Sequence, residues 1–230
     1  VESQDMAQSG WNYTSTSSFI TLSFWVKSSV AQTFYGYLKV NDGTTQGYRF
    51  ETGALSANTW TKVIVTAPGD SDIQFDTDTN ANSIAAGMEV VIAPWFGTTY
   101  TAQSGDTPLG VWFDYASGTR MRDMTSTWYT TNDATFEVTG VQLEVGSQVT
   151  PFEHRNIGDE LALCQRYYYI FADGREDSQM ATGFAYHSNQ PEITLNYPVM
   201  RASPSLVHPS GTNYYGVKNN NTNVTFDDWL

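Results

Sequence analysis

Along the first part of the chain, apolar and polar side chains alternate with a period of two, the spacing of strands with one buried face. In Thr21–Lys27, Leu22, Phe24 and Val26 fall on one face, and Ser23, Trp25 and Lys27 on the other. A second strand places Phe34, Gly36 and Leu38 opposite Tyr35, Tyr37 and Lys39, and Asn41-Asp-Gly43 closes it with a hairpin-turn signal. Tyr48–Phe50 and Trp60–Thr66 continue the pattern. Met88–Ala93 is a compact apolar run that reads as a strand buried on both faces, ended by Pro94, which has no ladder donor. Val111–Tyr115 is a further candidate.

The last strand of this series, Thr135–Val145, changes phase within itself. Phe136 and Val138 occupy even positions, whereas Val141, Leu143 and Val145 occupy odd ones. A one-residue slip sends an apolar set to the wrong face, so the pattern predicts a β-bulge or bend at Gly140. With about eight to ten strands and turn signals every 8–12 residues or so, the expected fold is all-β, a jelly-roll β-sandwich over 1–148. A linker with a short helix follows over 149–166, capped by Asn156 or Asp159 and running through Gln165 with Leu161 and Cys164 inward. It is the only helix expected. Tyr167–Phe171, Thr182–Tyr186, Glu192–Tyr197 and Asn213–Lys218 read as strands of a smaller β domain over 167–230. The opening Val1–Met6 reads as a strand approach, and both ends look like internal points of a longer chain.

Composition narrows the class of partner. Eleven Lys+Arg stand against 24 Asp+Glu, a net charge of -13, which disfavours nucleic acid and anionic lipid. Charged residues are only 15% of the total, while aromatics reach 14%, a profile of extracellular β proteins. No apolar run is long enough for a membrane-spanning helix, and no secretory leader is visible. The single Cys164 cannot form an intrachain disulfide and reads as a small buried apolar side chain.

One stretch carries a specific resemblance. Gly140-Val-Gln-Leu-Glu-Val-Gly-Ser147, Thr150-Pro-Phe-Glu-His-Arg155 and Glu160-Leu-Ala-Leu-Cys-Gln-Arg-Tyr-Tyr168 resemble a junction motif of tail-fibre and other virion surface proteins of tailed bacteriophages, notably marine ones. Met200-Arg-Ala-Ser-Pro204 resembles a segment that follows it in those proteins. The resemblance covers roughly 136–204. It implies a non-enzymatic virion component, a tail fibre or other surface appendage, assembled as a homotrimer with other virion proteins and contacting host surface glycan. A capsid decoration protein and a secreted bacterial carbohydrate-binding module are the alternatives, and a filament subunit is a third.

Candidate chemistry is sparse. Glycan hydrolysis needs two facing carboxyls, and Glu51, Glu89, Glu137 and Glu144 are arithmetical candidates of which none stands out. His154, His187 and His208 lie far apart, with no nucleophile beside them, so no catalytic residue and no cofactor site is expected. The acidic loop 70–82 offers Asp72, Asp76 and Asp78 as calcium candidates, although Ala81 and Gly87 stand where an EF-hand counted from Asp76 requires Gly and Glu. Glycan stacking would draw on Trp25, Trp95, Trp112 and Trp128, from a wider pool that includes Tyr35, Tyr37 and Tyr129. In the junction, Arg155 and Arg166 are expected to pair with Glu153, Asp159 or Glu160 and so lock the crossover.

Overall fold

The structure, a computed structural model, describes residues 1–75, 86–102, 108–171, 183–187, 190–200, 203–207, 215–219 and 222–226. It divides into two compact units, Val1–Glu153 and His154–Leu230.

The first unit opens with a short helix, α1 (Ser3–Gln8), where the sequence suggested a strand; Met6 on it is 4% exposed and joins the core. The alternating segments then form β1 (Phe19–Ser28), β2 (Thr33–Val40), β3 (Gln46–Ala54) and β4 (Thr61–Pro68). Beyond them come β5 (Met88–Ala93), β6 (Thr101–Ala102), β7 (Trp112–Asp114), β8 (Met121–Arg122) and β9 (Phe136–Val145). Two antiparallel sheets result, ordered β4-β1-β9 and β5-β2-β3-β7. The fold is all-β, as the alternation predicts. Its described strands number three and four, not the four and four of a regular jelly roll.

The sheets pack face to face on the predicted apolar positions. Leu22, Phe24 and Val26 of β1 meet Phe34, Leu38 and Val40 of β2, all fully buried, and the Phe24 and Phe50 rings lie 6.2 Å apart. Burying each such side chain stabilises the fold by about 1.5–3 kcal/mol, which makes this seam the main source of stability. Gly43, at a φ of 62°, turns the chain between β2 and β3 as the Asn41-Asp-Gly43 signal predicts. β5 departs from expectation: it pairs only with β2, at the sheet edge, and its four central residues are half-buried instead of covered on both faces.

The four-stranded sheet has a second covered face. Tyr37 of β2, with Ala93, Met121 and Met124, forms a separate buried cluster against which Tyr35, Val91, Trp95, Phe96 and Tyr115 pack. Residues 95–102 and 115–124, β8 among them, therefore form a third layer over that sheet, and the single-turn helix α2 (Thr127–Thr130) follows. Period-two alternation placed Tyr35 and Tyr37 on this face but could not show that later chain covers them.

The phase change in β9 is resolved as a bulge. Ser23 pairs with Gln142 and Trp25 with Thr139, so Gly140 and Val141 together oppose Phe24. Gly140 has a φ of 59°, the left-handed conformation that glycine adopts without a steric cost.

In the second unit, α3 (Ile157–Gln165) is capped by the Asn156 side chain, which accepts from the Gly158 N–H at 2.8 Å. Two hairpins follow: β10 (Gly183–His187) with β11 (Gln190–Ile193), and β12 (Tyr215–Asn219) with β13 (Thr222–Phe226). Tyr167–Phe171 is turn and loop, not strand, and β13 was not foreseen. Leu161 and Cys164, expected inward, are both exposed.

The bulge yields a stability prediction. Gly140→Ala forces a side chain into the left-handed region and brings its Cβ to 3.3 Å from Trp25 Cδ1. The substitution should lower the unfolding free energy by about 1–2 kcal/mol in urea titrations. Gly97→Ala, where the new methyl meets nothing within 4 Å, should stay within about 0.5 kcal/mol of the parent.

Candidate functional site

The four tryptophans proposed as stacking platforms have different fates. Trp112 packs on the Tyr48 ring at 5.2 Å and donates its indole N–H to the Pro68 carbonyl at 2.7 Å, so it joins the rim of one sheet to β4 of the other. Trp128 lies edge-on to Phe34 and Phe136 and donates to Thr135 O at 3.1 Å; it closes the end of the core. Trp25 is 41% exposed, yet its ring sits over the Gly140 bulge. Only Trp95 forms part of a surface platform.

Trp95 stacks on Tyr129 with ring centroids 5.1 Å apart and planes only 12° from parallel. Tyr129 is 64% exposed, so one partner of this pair lies largely in solvent. The segment Trp128–Ala134 lines a shallow, open depression of about 360 Å³ whose polar groups come from Thr130, Thr131, Asn132 and Asp133. A flat aromatic surface beside hydroxyls, an amide and a carboxylate is equipped to hold a sugar ring, with its apolar face on the aromatic group and its hydroxyls on the rim. α2 positions it: the Trp128 N–H is held by Gln32 Oε1 at 2.9 Å, and the Thr130 hydroxyl donates to Ser126 O at 3.0 Å.

The third layer also contains cations that the sequence reading passed over. Arg49 of β3 is 3% exposed; its guanidinium donates to Thr119 O, through Nε at 3.2 Å, and lies 3.3 Å from the Phe113 ring centroid. Burial, and then the charge of Arg122, pull its pKa down to about 10. Arg120 lies 4.8 Å from the Tyr100 ring, 5.5 Å from Phe96 and 5.9 Å from Tyr115. Burial, and then its hydrogen bond with Tyr115, push the Tyr37 phenol up to about 12. Arginine in strands and loops of an acidic chain gives no sequence signal of its own; only the fold assembles these residues.

The junction is fastened differently from the expected ion pairs. Arg155 does pair with Glu160, at 3.4 Å, but both side chains are more than half exposed and the pair lies wholly within the second unit. Asp159 sits in the first turn of α3 and Arg166 at its end, and neither forms an ion pair among the described residues. Glu153 contributes its backbone N–H, donated to Gln142 Oε1 at 2.8 Å. Gln142 and Glu144, on the outward face of β9, hold the segment 150–153. Thr150 donates its N–H to Glu144 Oε2 at 3.1 Å and its hydroxyl to Glu144 Oε1, while Gln142 Nε2 donates to Thr150 Oγ1 at 3.2 Å. Period-two alternation alone would leave both side chains facing solvent.

Of the calcium candidates, Asp72 is exposed, and its N–H donates to Asp70 Oδ1 at 3.0 Å; Asp76 and Asp78 lie outside the described residues. Among the described residues, no three His, Cys, Asp or Glu side chains are grouped to hold a metal ion. The remaining carboxylates considered for hydrolysis have separate partners. Glu137 pairs with Lys27 at 2.9 Å and Glu89 with Lys39 at 3.3 Å and with Asn41, while Glu51 stands across from Tyr35, whose phenol is pushed up by burial and then by the Glu51 charge.

No family model matches the chain, and neither a curated protein nor a solved structure is similar to it.

Two outcomes follow from the junction geometry. The Thr150 hydroxyl, then Gln142, hold the Glu144 carboxyl below the ordinary value of 4.5, so the attachment is complete above that value and is given up as the pH falls through the depressed one. The Thr150 amide should exchange slowly at neutral pH and lose protection, after correction for intrinsic rates, as acid titrates Glu144; Glu144→Gln should abolish that pH dependence. Arg155→Ala, which breaks an exposed pair, should change thermal stability by no more than about 0.5 kcal/mol.

Proposed function

We propose that this chain is a non-enzymatic structural component of a tailed-phage virion, a tail fibre or other surface appendage, whose first unit contacts host surface glycan at Trp95 and Tyr129. The observation that carries the glycan contact is the near-parallel pair of these two rings, one largely exposed, beside the polar segment Thr130–Asp133. The virion assignment draws on the resemblance of Gly140–Tyr168 to the phage junction motif. That motif's Gln142, Glu144 and Thr150 act here as fasteners of the segment 150–153.

Assembly from several copies is part of the same reading. Ile157, Leu161 and Tyr168 fall on one side of α3 and the turn after it, and they are 86%, 56% and 71% exposed. An apolar stripe of this size calls for a cover, and in an appendage built of identical chains a homotrimer supplies it. A secreted carbohydrate-binding module is the second reading, favoured by the same ring pair, and it needs no assembly.

Glycan-array binding of the parent and of Tyr129→Ala tests the contact, with light scattering on the same samples. Tyr129→Ala should bind up to about tenfold more weakly at unchanged melting temperature, since it removes stacking from an exposed position. A trimer with Tyr129-dependent binding supports the appendage. A monomer with the same binding turns the assignment to the module, and loss of all Tyr129 dependence removes the glycan contact.

A further inference from the structure

The layer that carries Trp95 also carries a cation with an unusual setting. Lys27, Lys39 and Arg155 each hold a carboxylate: Glu137, Glu89 and Glu160 respectively. Arg120 does not; among the described residues it forms no ion pair, in a chain with more than twice as many acidic as basic side chains. Its Nε donates to Ser117 O at 2.9 Å, the Tyr37 phenol shares a hydrogen bond with it, and the Phe96, Tyr100 and Tyr115 rings surround it. Tyr100 is 47% exposed and Arg120 itself is half-buried, so the guanidinium is held at the surface and not sealed within the layer.

Its position is also fixed from below. The buried Arg49 guanidinium grips the carbonyl of Thr119, the residue directly before Arg120, and the single-turn 3-10 helix Ser117–Thr119 supplies the carbonyl that Arg120 itself binds. A planar guanidinium held in place, partly dehydrated by aromatic rings and with no carboxylate partner among the described residues, is suited to a carboxylate from outside, which its fork of N–H groups matches in a bidentate manner. The neighbourhood indicates what carries that carboxylate. Phe96, under Arg120, is the residue next to Trp95, on which Tyr129 stacks. Adjacent Cα atoms lie about 3.8 Å apart, so a ring on the Trp95–Tyr129 platform and a charged substituent at Arg120 are within the span of a short oligosaccharide.

We propose that Arg120 is the anion-recognising residue of the glycan site and that the ligand is an acidic sugar bearing a carboxylate. The inference rests on the glycan reading of Trp95 and Tyr129 and deepens it. It also accounts for selectivity: the net charge of -13 repels anionic polymers in general, so an acidic glycan is held only where a local cation offsets that field.

The test is binding of the full chain to polygalacturonate, alginate, hyaluronate and polysialic acid, each measured beside its carboxyl-reduced counterpart. At least one acidic polymer should bind tenfold or more tightly than its reduced form, with an affinity that falls as salt rises. Arg120→Gln should erase that preference while leaving affinity for the reduced polymer unchanged, which also shows that the variant is folded. Arg120→Lys should restore only part of it, and Tyr129→Ala should weaken both forms together. Equal binding of acidic and reduced polymers by the parent, or an unaltered preference in Arg120→Gln, overturns the proposal. If only neutral glycans bind, and do so through Tyr129, the carboxylate assignment falls while the glycan contact stands; if no glycan binds, both fall.

Discussion

The left-handed backbone at Gly140 is the constraint on which the rest of the first unit depends. β9 must run beside β1 for its whole length, and its apolar residues change phase midway. Without an extra residue, either Phe136 or Leu143 would turn outward, and each packs against the core at its own end of the strand. Setting Gly140 and Val141 opposite Phe24 lets both point inward. The same displacement sends Gln142 and Glu144 to the outer face, where they hold Thr150 and Glu153. One residue without a side chain therefore couples core packing to the place where the chain leaves the sandwich.

Aromatic residues make up 14% of the chain, and the structure divides them by what surrounds their polar atoms. Trp112 and Trp128 have indole N–H groups bound to the carbonyls of Pro68 and Thr135, the arrangement that lets tryptophan close the edge of a core. The outer face of the four-stranded sheet is different. Tyr35, Tyr37 and Tyr115 there are interleaved with Arg49, Arg120 and Arg122, so the third layer is held by cation–π contacts and phenol hydrogen bonds as well as by Met121 and Met124. Such a layer tolerates a polar surface above it, because Arg49 is buried beneath while the half-buried Arg120 reaches solvent on one side and rings on the other.

How much of this the sequence shows depends on the range of the interactions. Period-two alternation reads directly as β1 and β2, because a half-buried strand needs only its own two faces to be distinguished. The bulge was legible because a phase change inside one strand has few explanations, and the Asn156 cap because it acts on the next residues in the chain. The edge position of β5 was not legible, since a short apolar run looks alike whether it is flanked by two strands or by one. The stacking of Trp95 on Tyr129 joins residues far apart in sequence through a layer with almost no regular structure, and no local pattern announces it. The helix α1 escaped for a related reason: six residues with one buried Met carry too little periodicity to oppose a strand reading.

The polar letters of the junction take on a physical meaning once the register is known. Read alone, Gln142 and Glu144 are alternate outward residues of a strand, which in most sheets face water. Here each meets the chain that follows only a few residues later: Glu144 accepts from both the N–H and the hydroxyl of Thr150, and Gln142 accepts from the Glu153 N–H while donating to Thr150. Pro151 disfavours the helical region for Thr150, whose N–H and hydroxyl both turn to the same carboxylate. Phe152 then lies near the point where a Cβ on Gly140 would project, beside Trp25. Bulge glycine, two outward polar residues, threonine, proline and phenylalanine are thus parts of one local arrangement. A sequence stretch that contains them together records the geometry of a chain folding back over the strand it has just left.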